Sequence, residues 1–160
     1  MKKNYRFVFG AAMIFVASCS SNSQPAAENQ NATLNEPGEK NGSAAVDDSI
    51  GNGKFTNIKL THPLDNTMID NGKIIYGAKC GSCHKLTDEK LIGPGWKGVT
   101  NRRRPEWIMN FITNTDEMID KDQNAQAMLE KCMVRMPNQH LSDEDARNML
   151  EYMRKNDGKK

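Results

Sequence analysis

The sequence contains no long apolar run. Its one stretch of that kind, residues 7–17, is too short to cross a bilayer as a permanent helix, and nothing later approaches the ~20 apolar residues a span requires. A strong charge of either sign is also missing. The formal net charge is +2, and with Lys2, Lys3 and Arg6 set aside the rest of the chain carries −1, so nothing calls for nucleic acid. Arg102, Arg103 and Arg104 form a local patch rather than a basic face. No segment alternates apolar and polar residues as a half-buried strand would, which argues against a β or α/β fold. Four cysteines are too unevenly placed for a disulfide framework: Cys19 stands alone, Cys80 and Cys83 flank two residues, and Cys132 has no obvious partner.

What is present begins with a leader. Lys2, Lys3 and Arg6 precede the short apolar run, the pattern of an export signal. The run ends in Val16-Ala17-Ser18-Cys19, similar to the lipoprotein signal motif, in which small residues precede a cysteine that is lipidated and becomes the new N-terminus. Val16 stands where leucine is usual. Alternatives are an ordinary cleaved signal that discards Cys19, or a buried free thiol. Processing at Cys19 would leave one domain and a tail, anchored by lipid on the periplasmic side of a bacterial membrane. Residues 20–59 are rich in Asn, Ser, Ala, Gly and Glu and read as a disordered tether, with too little apolar surface to offset the entropy of ordering. A flexible chain of ~40 residues has a reach of roughly 35 Å, enough for a domain to swing between partners. The expected organisation is therefore a signal over 1–18, a lipidated linker over 19–60, and a domain over 61–160.

The domain shows four amphipathic helical patterns and reads as all-α. The first covers 70–79, with Ile74, Ile75 and Ala78 apolar and Asp70 or Asn71 as its cap. A glycine-rich loop follows to Asn101. The second opens at Pro105, a residue suited to a first helical position, and sets Trp107, Ile108, Phe111 and Ile112 at helical spacing. The third, over 122–133, carries Ala125, Met128, Leu129, Cys132 and Met133, and Pro137 stops it. The fourth follows Ser142 and the acids Asp143, Glu144 and Asp145, and presents Ala146, Met149, Leu150 and Met153 as a stripe. A core this small would benefit from a large apolar cofactor at its centre.

The strongest local signal is Cys80-Gly81-Ser82-Cys83-His84, the Cys-x-x-Cys-His pattern of c-type haem attachment. Two thiols must reach the two vinyl groups of one porphyrin, and the histidine that follows must place its imidazole beneath the iron. One helical turn does all three. A thioredoxin-like pair would need a strand and helix around it, and a zinc site would need a second ligand pair that Cys132, His62 and His140 do not supply. A structural disulfide between Cys80 and Cys83 would gain little.

On these residues the chain resembles the class I cytochrome c family over 68–155. Gly72 and Tyr76 stand where that family places the glycine and aromatic of its first helix, and Met149, Tyr152 and Met153 match the last-helix residues that cross them. Gly93-Pro94-Gly95-Trp96-Lys97-Gly98-Val99 is similar to the family's Gly-Pro-x-Leu-x-Gly loop. The resemblance implies a fold of about four helices around one covalently bound haem c, with the Pro94 carbonyl accepting a hydrogen bond from the His84 ring. Trp96, in place of an aliphatic residue, would stack near the haem edge or serve as core. Met136, followed by Pro137, matches the family's Met-Pro segment and is the expected sixth ligand opposite His84. His140 is the alternative, giving a bis-histidine iron. Met128 and Met133 read as core and Met118 as part of a polar loop. Cys132 reads as a buried inert thiol, with an intermolecular disulfide or a redox role as the alternatives, and one of Arg102, Arg103 and Arg104 would meet a haem propionate.

The function so implied is electron carriage, not enzymatic catalysis. The expected partners are a membrane donor complex and, as acceptor, a terminal oxidase or a reductase of nitrogen oxides, with no nucleic acid and no small-molecule substrate. Two other readings stand beside it: a haem enzyme or ligand sensor of peroxidase type with an open or labile sixth position, and a structural haem subunit of a larger respiratory assembly.

Overall fold

Three helices of the domain begin where the residue ahead of them takes up an orphan backbone N–H with its side chain. The computed structural model describes residues 47–160; Cys19, the leader and the linker up to residue 46 lie outside the described residues. Among the described residues there are six α-helices: α1 (Asn66–Ile75), α2 (Val99–Arg102), α3 (Pro105–Thr113), α4 (Thr115–Lys121), α5 (Gln123–Cys132) and α6 (Asp143–Asn156), with a single π turn, Tyr76–Cys80, running on from α1. No named strand occurs among them. The all-α fold expected from the sequence is the fold observed, with more and shorter pieces.

The caps account for the differences in boundary. Asp65, not Asp70 or Asn71, caps α1 by accepting from the Met68 N–H, so the helix starts earlier than its apolar residues suggest. The apolar stripe assigned to it is also corrected: Ile74 is 70 % exposed and Ala78 is exposed, while Gly72 is buried. Asp122 caps α5 through the Ala125 N–H. Ser142 and Asp145 form a reciprocal capping box on α6, the device its acidic start foreshadowed. Helix α5 ends at Cys132 because Met133 turns left-handed, φ 58°, well before Pro137. Met118, assigned to a polar loop, is fully buried on α4, a helix too short to show a periodic pattern.

Helices α1 and α6 cross at the centre of the molecule. A Cβ on Gly72 would lie 2.3 Å from the Asn148 carbonyl oxygen and 2.7 Å from the Tyr152 Cβ, so only glycine permits this approach. Tyr76 meets Tyr152 one turn on, ring centroids 5.7 Å apart. Trp107, Ile108, Ile112, Met118, Ile119, Met149, Leu150 and Met153 fill the core behind the crossing.

The linker expected to run to residue 60 is corrected over its last part. From Asp47 onward it packs as a strap on the helices, and its backbone is taken up by buried polar side chains. Asn110, fully buried, accepts from the Phe55 N–H and donates to the Ile50 and Phe55 carbonyls. Glu106 accepts from the Ile58 N–H, and Glu151 accepts from the Thr61 hydroxyl and the Asp65 N–H. Asp47 pairs with Arg103 and accepts from Asn124. Phe55, Ile58 and Leu60 add apolar contact with the core. Composition alone reads this segment as unable to order itself; the helices supply the missing partners.

Candidate functional site

The site starts from the end of α1. The π turn closes with the Gly81 N–H donating to the Tyr76 carbonyl, one residue beyond α spacing, and brings Cys80 into the buried side. The Cys80 carbonyl then accepts from both the Cys83 and His84 N–H groups, 3.0 and 2.9 Å away. Cys80, Cys83 and His84 thus share one tight turn. No disulfide joins the described cysteines, Cys80, Cys83 and Cys132. Before haem attachment, burial pushes the Cys80 thiol up to about 11, against the opposing pull of Lys79, with the nearby Cys83 adding to the rise.

His84 is held on three sides. Its carbonyl accepts from the Tyr76 hydroxyl at 2.7 Å. The loop beyond it folds back, with the Gly93 N–H donating to the Cys83 carbonyl and the Trp96 N–H to the Lys85 carbonyl. That return places the Pro94 carbonyl oxygen 2.9 Å from His84 Nδ1. A carbonyl can only accept, so Nδ1 carries the proton and Nε2 keeps its lone pair. Burial, partly offset by the Pro94 hydrogen bond, lowers the His84 pKa, and the ring is neutral and ready to ligate. Gly93 makes room for it: a Cβ there would stand 2.3 Å from the imidazole Cε1. Trp96 is buried between His84 and Tyr76, 5.3 Å from each ring, and packs in the core.

Two apolar cavities flank this histidine. The first is lined by Cys83, His84, Phe111, Leu129, Cys132 and Met136 among others, and the second by His84, Trp96, Trp107, Phe111, Met136 and Met153. His84, Pro94, Phe111, Met128 and Met136 belong to both. His84 and Met136 therefore border one apolar space that Cys83 also lines, with Cys80 buried on the same turn. That donor set, with its surround, fits a covalently held haem with axial nitrogen and sulfur. Met136 is not on a helix with Cys132, since α5 has ended, yet both line the first cavity. Met128, expected as plain core, borders both cavities. Arg102 and Arg103 border the second, whereas Arg104 turns away to pair with Glu106. His140 lines neither and is exposed.

The model of the family described as cytochrome c matches residues 69–157, more than half of the chain and all of the turn, loop and methionine just described. The chain belongs to the cytochrome c family. As a class I monohaem cytochrome it is an electron-transfer haem protein that carries one covalently attached haem c. Solved structures agree. A cytochrome c from Rhodothermus marinus is 33 % identical, with a TM-score of 0.63 over 68 % of this chain and 91 % of that one. An engineered cytochrome c from the same organism is 32 % identical, with a TM-score of 0.62 over 68 % and 92 % of the two chains. A further engineered form, bound to a carbene intermediate, is 32 % identical with a TM-score of 0.59 over the same shares. The comparison with curated proteins finds no match.

Two features of this cytochrome's site were not legible in sequence. The Tyr76 hydroxyl bond to His84 depends on the π turn, whose extra residue has no composition signal. Asp157, at the C-cap of α6, accepts from the Gly98 and Thr100 N–H groups and the Thr100 hydroxyl, fixing the start of α2 and with it the arginines beside the second cavity. Its partners lie more than fifty residues away, beyond any local pattern.

Proposed function

We propose that this cytochrome is a mobile single-electron carrier in which Cys80 and Cys83 hold the haem by thioether bonds and His84 and Met136 ligate its iron from opposite sides. The bound haem supplies a ferric and ferrous couple, and the protein supplies its attachment, ligands and apolar surround. The observation that carries the reading is the His84 ring, locked through Nδ1 by Pro94 so that Nε2 is free, bordering the same apolar cavities as the Met136 sulfur. With His84 and Met136 both holding the iron, no place would remain for a substrate. Methionine sulfur favours the ferrous form and a fairly high potential.

The address and partners belong to the same proposal. The Cys19 lipid would fix the protein to the periplasmic side of a bacterial membrane, where it would carry electrons from a membrane donor complex to a terminal oxidase or nitrogen-oxide reductase. Support for the address comes from the leader and from Cys19 in its small-residue setting.

The test is spectroscopic. The ferric protein is expected to show the weak far-red band of methionine-to-iron charge transfer, and Met136→Ala to abolish it while leaving the haem attached. A band untouched by Met136→Ala would overturn the ligand assignment, and a colourless protein from a host able to attach haem would overturn the cofactor assignment. Cys19→Ser is expected to move the protein from the membrane to the soluble fraction. A second reading, a haem enzyme with a labile sixth position, draws on the engineered relative bound to a carbene intermediate; rapid carbon monoxide binding by the reduced protein would favour it.

A further inference from the structure

The two sides of the site are fastened very differently. His84 is 8 % exposed and tied through its N–H, its carbonyl and its ring. Met136 sits in a segment between α5 and α6, residues 133–142, that has no regular structure. Met133 opens it in a left-handed conformation, and the His140 N–H bonds only to the Asn138 side chain within the same segment. Among the described residues, the one main-chain group between 134 and 141 tied to another element is the Gln139 carbonyl, which accepts from the exposed Lys79 ammonium at 2.9 Å. Leu141 is buried in the core near the far end, Met136 packs against that core, and a polar side chain makes a further attachment. Arg135, immediately before Met136, sends Nη2 to Asp120 Oδ1 at 2.9 Å, to the Asp116 carbonyl at 3.2 Å and to Asp116 Oδ1 at 3.4 Å.

Helix α4 is a firm place to tie. Its Met118 and Ile119 are buried, and its start is bound to the end of α3 through the Thr115 hydroxyl and the Phe111 carbonyl. Asp116 and Asp120, one helical turn apart, point outward from that fixed helix.

We propose that Arg135 is a latch: its ion pair with Asp116 and Asp120 holds the Met136 segment across the cavity, and its release vacates the sixth position for a small neutral ligand. The inference rests on Met136 being the axial ligand. Arg135 borders the first cavity beside Met136 and acts through the segment it ties down, so it is a positioning residue. The pair lies at the surface, and an exposed pair of this kind shifts an equilibrium by up to about fivefold. It is also screened, because the Debye length falls to about 3 Å in 1 M salt. Opening is therefore set by ionic strength as well as by sequence.

The experiment uses the purified haem-loaded protein, with carbon monoxide as probe. At low salt, Arg135→Ala is expected to weaken the ferric far-red band and to speed carbon monoxide binding to the reduced protein about three- to fivefold. Arg135→Lys restores most of both, because it keeps the charge. Wild type in 1 M salt moves toward the Arg135→Ala values, and Arg135→Ala itself is indifferent to salt. The double variant Asp116→Asn/Asp120→Asn, which leaves Arg135 in place, repeats the effect and serves should Arg135→Ala fold poorly. A coloured protein whose band and binding rate are unmoved by both sets of substitutions overturns the latch alone. A band absent from wild type overturns the methionine ligation on which it rests.

Discussion

At the scale of single residues, the site depends on absences as much as on side chains. Gly72 and Gly93 are each required because an atom already occupies the space a Cβ would fill, backbone and Tyr152 in one case and the His84 ring in the other. The neighbours of Gly72 are a carbonyl and a Cβ, neither of which can swing aside. Gly72→Ala is expected to cost about 3 kcal/mol, read as a lower urea midpoint with an unchanged haem spectrum. Glu151 shows the opposite economy, a fully buried carboxylate kept charged. Burial alone would raise its pKa, but hydrogen bonds from Thr61, Arg147, Arg154 and the Asp65 N–H outweigh that and bring it to about 2. A group whose folded pKa is depressed stabilises above its ordinary pKa, and the benefit fades as pH falls from about 4.5 toward 2. Its size is on the order of 3 kcal/mol. Urea midpoints measured from pH 7 to pH 3 are expected to fall across the lower part of that range and to fall less steeply in Glu151→Gln. That variant starts lower at neutral pH, since it leaves the buried Arg154 and the half-buried Arg147 without their counter-charge.

At the scale of elements, α6 is the frame. It crosses α1, its Glu151 ties down the strap, and Asp157 at its C-cap fixes the start of α2. Its own start rests on the Ser142 and Asp145 capping box. Ser142→Ala is expected to cost about 1 kcal/mol in thermal or urea unfolding without moving the haem bands, because the cap lies outside both cavities. The strap is the element with the most to lose from one substitution. Asn110 satisfies three of its backbone groups, and each group left unpaired in a buried setting costs about 1–3 kcal/mol. Asn110→Ala is expected to release residues 50–55, seen as loss of amide-exchange protection at Phe55 while α1 and α6 remain protected.

At the scale of the whole molecule, the helices enclose apolar space that their own side chains do not fill. Phe111, Met128 and Met136 line both cavities beside His84, so the domain is completed by its haem. Removing the attachment with Cys80→Ser/Cys83→Ser is expected to leave a helical protein whose thermal unfolding is broad and shifted to lower temperature, followed by circular dichroism. Helical content then survives better than tertiary packing, because α6 is held by its capping box and its crossing with α1, while α3, α4 and α5 line the centre that the haem would fill.

The proline loop behind the histidine and the crossing glycine followed from the family resemblance, while the sequence alone was enough for the all-α class and the haem attachment turn, because each is written within a few adjacent residues or at helical spacing. The starts of α3 and α6 were legible for the same reason, in Pro105 and Ser142. What the tertiary structure decided depends on partners distant in the chain. The strap orders because Asn110, Glu106 and Glu151 wait for it, against its own composition, and α1 begins at Asp65 because a cap rather than an apolar stripe sets its edge. Met118 is core because a short helix folds it inward, and Arg135 faces Asp116 and Asp120 only once α4 and the Met136 segment lie side by side. Local pattern fixes which turns form; burial and long-range hydrogen bonding fix what those turns hold in place.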